Sequence, residues 1–207
     1  MALHTFDELQ KIYDAAYMDK VLRNDSLAGI PFAAAIAEFY PAARIIADIG
    51  CANGVFMRHF PKDRYIVVGY DISVAARQSP LVEHGLIHTC DLRLPGVIAS
   101  KYDLMYAIEF LEHIELEAID TVLDNMCDAT PIILATPGNQ PGDGHFNMRP
   151  EQWWVVKFAE HGFVFQPAGS LKLREFLRQP RWDEHQRRFP FMKNGIMAFR
   201  RRTDNGS

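Results

Sequence analysis

Cysteine is scarce in this chain: Cys51, Cys90 and Cys127 are the full set. An odd, sparse set makes a poor disulfide framework, and no spacing is that of paired metal ligands. It suits a reducing compartment. No apolar run approaches the eighteen or so residues that a membrane span needs. The opening Met1-Ala2-Leu3-His4-Thr5-Phe6-Asp7-Glu8 turns acidic and polar too early for a signal peptide. A cytoplasmic protein with no membrane partner is expected. Strong charge of one sign is also missing. A net charge of −4 weighs against a polyanion such as nucleic acid as the obvious partner. There is no repeat, low-complexity tract or linker, so residues 1–207 read as a single domain with a substantial core.

What is present is a regular alternation. Residues 6–39 read as helical, with breaks near Asn24-Asp25-Ser26 and at Gly29-Ile30-Pro31. From Arg44 onward, short apolar runs at 45–47, 65–70, 86–90, 104–108 and 131–135 alternate with helical stretches. Such strands indicate a parallel sheet covered on both faces, the doubly wound, Rossmann-like α/β class. A helix over 150–161 stops at Gly162. Phe163-Val164-Phe165 and residues 195–200 read as two more strands with a long irregular stretch between them. A non-helical connection suggests an antiparallel pair at the sheet edge, giving seven strands. The chain divides into a helical part (1–43), a core (44–135) and a part with loop, helix and closing hairpin (136–207).

Chemistry gathers at the strand ends. The first strand runs into Asp48-Ile49-Gly50-Cys51-Ala52-Asn53-Gly54, with a helix expected from about Val55. A glycine-rich turn lets the backbone approach a ligand, and an open helix N-terminus favours an anionic group. The nicotinamide pattern G-x-G-x-x-G is not met, because Ala52 stands at its second glycine and no third follows. Asp71 closes the second strand 21 residues after Gly50. An acidic side chain there grips ribose hydroxyls, which points to an adenosine ligand and no further. Asp91 ends the third strand, where it can accept from an adenine amino group, and Glu109 follows the fourth. Gly50 and Gly54 could serve a tight turn alone, and Asp48 a helix cap. Four such features in order at successive strand ends argue against that.

The series resembles the class I S-adenosylmethionine (SAM)-dependent methyltransferases. Residues 48–54 resemble the first motif of that family, with alanine for its usual middle glycine. Asp71 matches the acidic residue of the second, Asp91 that of the third, and Tyr102-Asp103-Leu104-Met105-Tyr106-Ala107 the fourth. The likeness covers about residues 45–135 and continues loosely to Phe199. It implies the strand order 3-2-1-4-5-7-6 with strand 7 antiparallel, and S-adenosyl-L-methionine as cofactor. It implies a pocket built from Asp48, Gly50, Cys51, Ala52, Gly54, Asp71, Ile72, Asp91, Leu92, Ala107, Ile108 and Glu109. The N-terminal helices would form a lid carrying Tyr13 and Tyr17, with Tyr17 as the cofactor candidate. Either tyrosine could equally be a core residue.

Glu109-Phe110-Leu111-Glu112-His113 follows the fourth strand directly. On a helical turn Glu109, Glu112 and His113 share a face, and His145, after the fifth strand, opens onto the same crevice. Two carboxylates and two imidazoles would suit a divalent metal such as Mg²⁺, Mn²⁺, Fe²⁺ or Co²⁺. The run resembles that of the ubiquinone-pathway O-methyltransferases and, with a following histidine, that of the metal-dependent methyltransferases of small-RNA 3′ ends. Both resemblances imply a metal that binds the acceptor hydroxyl. E-x-x-E-H also occurs in methyltransferases without metal. Three readings stand: Glu109, Glu112, His113 and His145 as metal ligands; His113 or His145 as a base, with Glu112 beside them; or a structural role.

The loop 135–144 is placed to cover an acceptor. The pattern from His145 through Asn147 to Trp153-Trp154, followed by His161-Gly162-Phe163, resembles bacterial methyltransferases of surface-glycan and secondary-metabolite pathways. The two tryptophans read as packing residues before a substrate platform. Between 171 and 193, Lys172, Arg174, Arg178, Arg181, Arg187, Arg188 and Lys193 outnumber Glu175, Asp183 and Glu184. This is either solvated surface or a grip for a phosphate or carboxylate. The expected reaction is methyl transfer to a hydroxyl, less readily an amine, of a small-molecule acceptor, a saccharide first. One alternative is an RNA ribose 2′-O-methyltransferase, disfavoured by net charge and the lack of an RNA module. Another is a non-catalytic protein that kept the fold, against which Gly50, Gly54 and Asp71 stand.

Overall fold

The computed structural model describes residues 3–203 apart from 26, 139, 140, 143, 186, 188 and 189. The expectations that touch Ser26, Asn139, Gln140, Asp143 and Arg188 lie outside the described residues. Seven strands form one sheet: β1 (Ile45–Ile49), β2 (Ile66–Asp71), β3 (Ile87–Thr89), β4 (Leu104–Ile108), β5 (Ile132–Thr136), β6 (Phe163–Phe165) and β7 (Met197–Arg201). Their order is β3-β2-β1-β4-β5-β7-β6. The first five pair in parallel, and β7 runs antiparallel to both β5 and β6. This is the expected topology.

The central strands are largely apolar because each feeds two cores. Ile46 of β1, Leu104 and Tyr106 of β4 and Leu134 of β5 enter one; Ala47, Ile49, Met105, Ala107, Ile133 and Ala135 enter the other. Successive side chains on a strand point to opposite faces, so a run without polar residues is one covered twice. Two helices, α4 (Ile119–Ala129) and α5 (Glu151–Glu160), cover the second face with Val122, Leu123, Met126, Trp154 and Phe158. Trp154 is fully buried and is a packing residue. The first face is covered by α3 (Gly29–Phe39), through Phe32 and Ile36, and by α6 (Pro167–Leu177), through Leu173 and Leu177.

Three local expectations are corrected. The helix expected from Val55 is only a 3₁₀ turn, Met57–His59. Few residues separate Gly54 from Pro61, and the position before a proline disfavours helix. Phe56 and Phe60 instead pack edge-on against Phe32 of α3, which covers the sheet where that helix would have lain. The break at Gly29-Ile30-Pro31 is absent: α3 begins at Gly29 and takes Pro31 into its first turn, where a missing N–H costs nothing. A break falls instead between α1 (Phe6–Ile12) and α2 (Ala15–Asp25), where the Asp14 carboxylate accepts from the Tyr17 amide at 3.0 Å. The connection from β6 to β7 is helical, containing α6, a 3₁₀ turn at Pro180–Trp182 and α7 (Phe191–Gly195).

Candidate active site

The carboxyl ends of β1, β2, β4 and β5 open onto one cavity of about 720 Å³. At one end is the turn after β1. Gly50 and Gly54 have φ of +71° and +77°, and Ala52 has φ of +46°. Only glycine fits at Gly50, where a Cβ would overlap the Phe110 ring. The turn is tied to β2 through Asp71, whose Oδ2 accepts from the Ala52 amide and Oδ1 from the Ser73 amide, each at 2.8 Å. Each oxygen keeps a lone pair for a further donor. Burial raises the Asp71 carboxyl to about 6, against the pull of those two amides. Asp48 accepts from the Tyr106 hydroxyl at 2.9 Å, and burial pushes its carboxyl upward as well.

Most of the expected pocket residues line this cavity: Asp48, Gly50, Cys51, Ala52, Asp71, Ile72, Asp91, Leu92, Ile108, Glu109 and Tyr17. Gly54 and Ala107 do not. Gly54 works instead at the close approach to Val82, and Ala107 is a core residue of β4. Two electrostatic expectations change. The three-residue turn at Met57–His59 supplies no helix N-terminus to greet an anion. Asp91 is not an open acceptor: Arg93 grips it through Nε at 2.9 Å and Nη2 at 2.8 Å and holds its carboxyl low. Arg93 also bonds Glu115, which accepts from the backbone and ring of His4. This buried network fastens the start of the chain to the ends of β3 and β4, and nothing in the sequence pattern signalled it.

At the other end lies the run after β4. It is not one helical turn. Glu109 sits at φ +50°, its amide bonded to the Thr136 carbonyl and Oγ1 at 2.9 Å each. A 3₁₀ turn, Leu111–His113, follows. Glu109 and His113 therefore face the cavity, while Glu112 turns inward and is fully buried. Its carboxylate packs on Gly138, where a Cβ would overlap it, and neither oxygen has a hydrogen-bond partner among the described residues. Burial and the neighbouring Glu109 raise its carboxyl to about 8, against a weaker pull from the nearby backbone at Gly138 and Glu112, which lies outside good hydrogen-bond geometry. The Glu112 carbonyl accepts from the amides of Phe146 at 2.8 Å and Asn147 at 3.0 Å. Those two bonds bring His145 against His113, ring centroids 4.6 Å apart.

Glu112, His113 and His145 thus offer ligand atoms within 4.8 Å of one another. Glu109, the fourth residue of the expected set, stands outside that group. The orphaned Glu112 carboxylate and two imidazoles fit a divalent ion of the Mn²⁺ or Fe²⁺ type better than Mg²⁺, which prefers oxygen. Burial and the His145 ring pull His113 down to about 4, so its imidazole is neutral at neutral pH. The Tyr13 hydroxyl lies 3.0 Å from its Nδ1. Among the described residues, no helix is long and apolar enough to cross a membrane.

A sheet of this order, with a glycine turn and an acidic residue ending its first two strands, defines a class I SAM-dependent methyltransferase. The chain belongs to the family described as "Methyltransferase domain", whose model matches residues 12–174. Three solved structures share the fold. The sugar N-methyltransferase KedS8 from Streptoalloteichus sp ATCC 53650 is 13% identical, with 98% of this chain and 95% of that one covered and a TM-score of 0.64. The plantazolicin methyltransferase BpumL, in complex with S-adenosylhomocysteine (SAH), is 12% identical over 95% and 98%, with a TM-score of 0.61. The SAM-bound amino pentose methyltransferase CalS10 from Micromonospora echinaspora is 12% identical over 98% of both chains, with a TM-score of 0.57. No curated protein matches the chain in sequence.

Proposed function

We propose that this enzyme methylates a hydroxyl group of a small, saccharide-like acceptor, with His113 as the base. The observation that carries the reading is geometric: His113, half-buried, packs edge-on against His145 and is oriented by Tyr13 on the same cavity as the Asp71 turn. SAM supplies an electrophilic methyl on a sulfonium, a leaving group that needs no help. The chain has to bind, align and dehydrate. Asp71 takes the ribose hydroxyls, the turn 50–54 approaches the methionine end, and Ile72, Leu92 and Ile108 frame the adenine. The N-terminal helices act as the lid, with Tyr17 over the mouth.

An alcohol is a poor nucleophile until its proton has somewhere to go. With the His113 proton on Nδ1, donated to Tyr13, Nε2 carries the free lone pair. Nε2 takes the hydroxyl proton as the oxygen attacks the methyl in line, the S–CH₃ bond breaks, and SAH leaves as a neutral thioether. An amine acceptor would need no such base. The saccharide class draws support from the sugar-acting structures of like fold and from the polar side chains of His113, His145 and Arg149 on an otherwise mostly apolar cavity wall. Labelled methyl from SAM, offered to a saccharide panel, should appear as an alkali-stable ether. A methylamine or a base-labile ester would contradict the reading.

Glu112 favours a second reading of the same site. A fully buried carboxylate with two unpartnered oxygens is costly. Glu112, His113 and His145 would hold a divalent cation, which would lower the pKa of the acceptor hydroxyl. Loss of transfer on chelation, restored by Mn²⁺, is the result that would select it.

A further inference from the structure

On the wall of the cavity that carries His145, Arg149 has a charge that no carboxylate among the described residues pairs with. His145 and Arg149 both line the cavity, while Met148 between them is exposed. Arg149 is held in two ways. Its Nε donates to Asn147 Oδ1 at 3.0 Å, and its guanidinium lies 5.4 Å from the centroid of the Trp153 ring. Asn147 is itself only 2% exposed and is anchored through its amide to the Glu112 carbonyl. The head group is therefore oriented, yet its two terminal amino groups have no acceptor among the described residues. The carboxylate nearest in sequence on that wall, Glu151, is already taken by Arg174 at 2.9 Å. The cavity's other arginine, Arg93, is spent on Asp91 and Glu115.

A guanidinium fork held open in a cavity is the geometry that binds an oxyanion through two parallel hydrogen bonds. We propose that Arg149 is an anion subsite of the acceptor pocket, so that the acceptor carries a carboxylate or a phosphate besides the group that is methylated. The inference rests on the saccharide reading above and narrows it to sugar acids and sugar phosphates. Arg149 is four positions after His145, so their Cα atoms are at most about 14 Å apart and one small acceptor can reach both.

The test uses the full chain loaded with SAH and titrated with three probes: D-glucuronate, glucose 1-phosphate and neutral D-glucose. At least one anionic probe should bind, and glucose should bind at least tenfold more weakly. Arg149→Met keeps an aliphatic stem over Trp153 and removes the charge; it should cost the anionic probe at least tenfold. Arg149→Lys keeps the charge without the fork and should fall between. Which probe responds decides between carboxylate and phosphate. Binding of neither anion, equal binding of glucose, or anion binding unchanged in Arg149→Met would overturn the subsite. SAH affinity, measured in the same samples, keeps the outcomes apart: intact SAH binding with no anion binding removes the subsite alone, whereas failure to bind SAH removes the methyl-transfer reading beneath it.

Discussion

The hydroxyl of Tyr13 stands 3.0 Å from Nδ1 of His113, joining the end of the first N-terminal helix to the turn after β4. The same hydroxyl lies 3.5 Å from the Gly144 carbonyl, on the loop that follows β5. Burial pushes the phenol upward, so it stays protonated and serves as a relay contact, not as a charge. Tyr13→Phe should lower kcat about tenfold, the scale of one orienting hydrogen bond. SAH affinity should stay within about twofold. Steady-state rates beside calorimetry read both, and an unchanged kcat would show that Tyr13 only packs.

Asp71 sets a pH dependence at the other end of the cavity. Its folded value of about 6 lies above the ordinary 3.8. The folded state therefore holds this proton more tightly than the unfolded chain. The stability linked to Asp71 is full below about pH 3.8 and is lost as pH rises to about 6. Asp71→Asn cannot titrate and should gain on the wild type by about 2 kcal/mol between pH 4 and pH 7. SAH binding should run the opposite way. Ribose hydroxyls donate best to the ionised carboxylate, so wild-type affinity should fall below pH 6 while that of Asp71→Asn, weaker throughout, should not. Urea melts and SAH titrations across that range check both slopes.

Two substitutions in the turn after β1 should have opposite signs. Ala52 adopts φ +46°, a region that costs an L-residue about 1–2 kcal/mol. Ala52→Gly removes that strain, partly offset by the freer unfolded chain, and should stabilise by up to about 1 kcal/mol. Gly50→Ala meets both a φ of +71° and the Phe110 ring. It should destabilise by more than about 2 kcal/mol and abolish SAH binding. Thermal melts and a single titration suffice.

Glu112 separates the two readings of the transfer site. With the base reading, transfer survives chelation. With a bound cation it does not, and Glu112→Gln reproduces the loss. In metal-stripped protein the raised carboxyl means that stability tied to Glu112 is full below about pH 4.5 and is lost as pH rises. Glu112→Gln should therefore gain on the wild type toward pH 8. An unchanged difference between pH 4.5 and 8 would mean that Glu112 is not held protonated.

The sheet was legible because its strands are short, apolar on both faces and end in acidic residues at matching places: Asp48, Asp71, Asp91 and Glu109. The coverings were less legible. Ser170, Leu173 and Leu177 have helical spacing behind Pro167, but Gly169 and the basic residues around them mask the signal, and α6 reads as irregular chain. A run such as Val55–Phe60 looks helical until its aromatic rings find Phe32, a partner more than twenty residues away. At the site, residue types pointed to the right strand ends, while side-chain directions were hidden. Glu109 takes a left-handed conformation because Thr136 bonds its amide, and that turn of the backbone separates it from Glu112. The His4–Arg93–Glu115 network joins distant segments, which no local pattern encodes; the contacts of Arg149 with Asn147 and Trp153 are local, but its place on the cavity wall is set by the fold.

The proposed division of labour along one cavity gives Asp71 the cofactor and His113 the transfer. The most direct measurement crosses Asp71→Ala and His113→Ala, each assayed for SAH affinity and for single-turnover methyl transfer at saturating SAM. Asp71→Ala should lose SAH affinity by about a hundredfold or more. His113→Ala should bind SAH like the wild type and transfer at least about a hundredfold more slowly. If His113→Ala transferred at the wild-type rate, or lost SAH affinity as Asp71→Ala does, the division would be wrong.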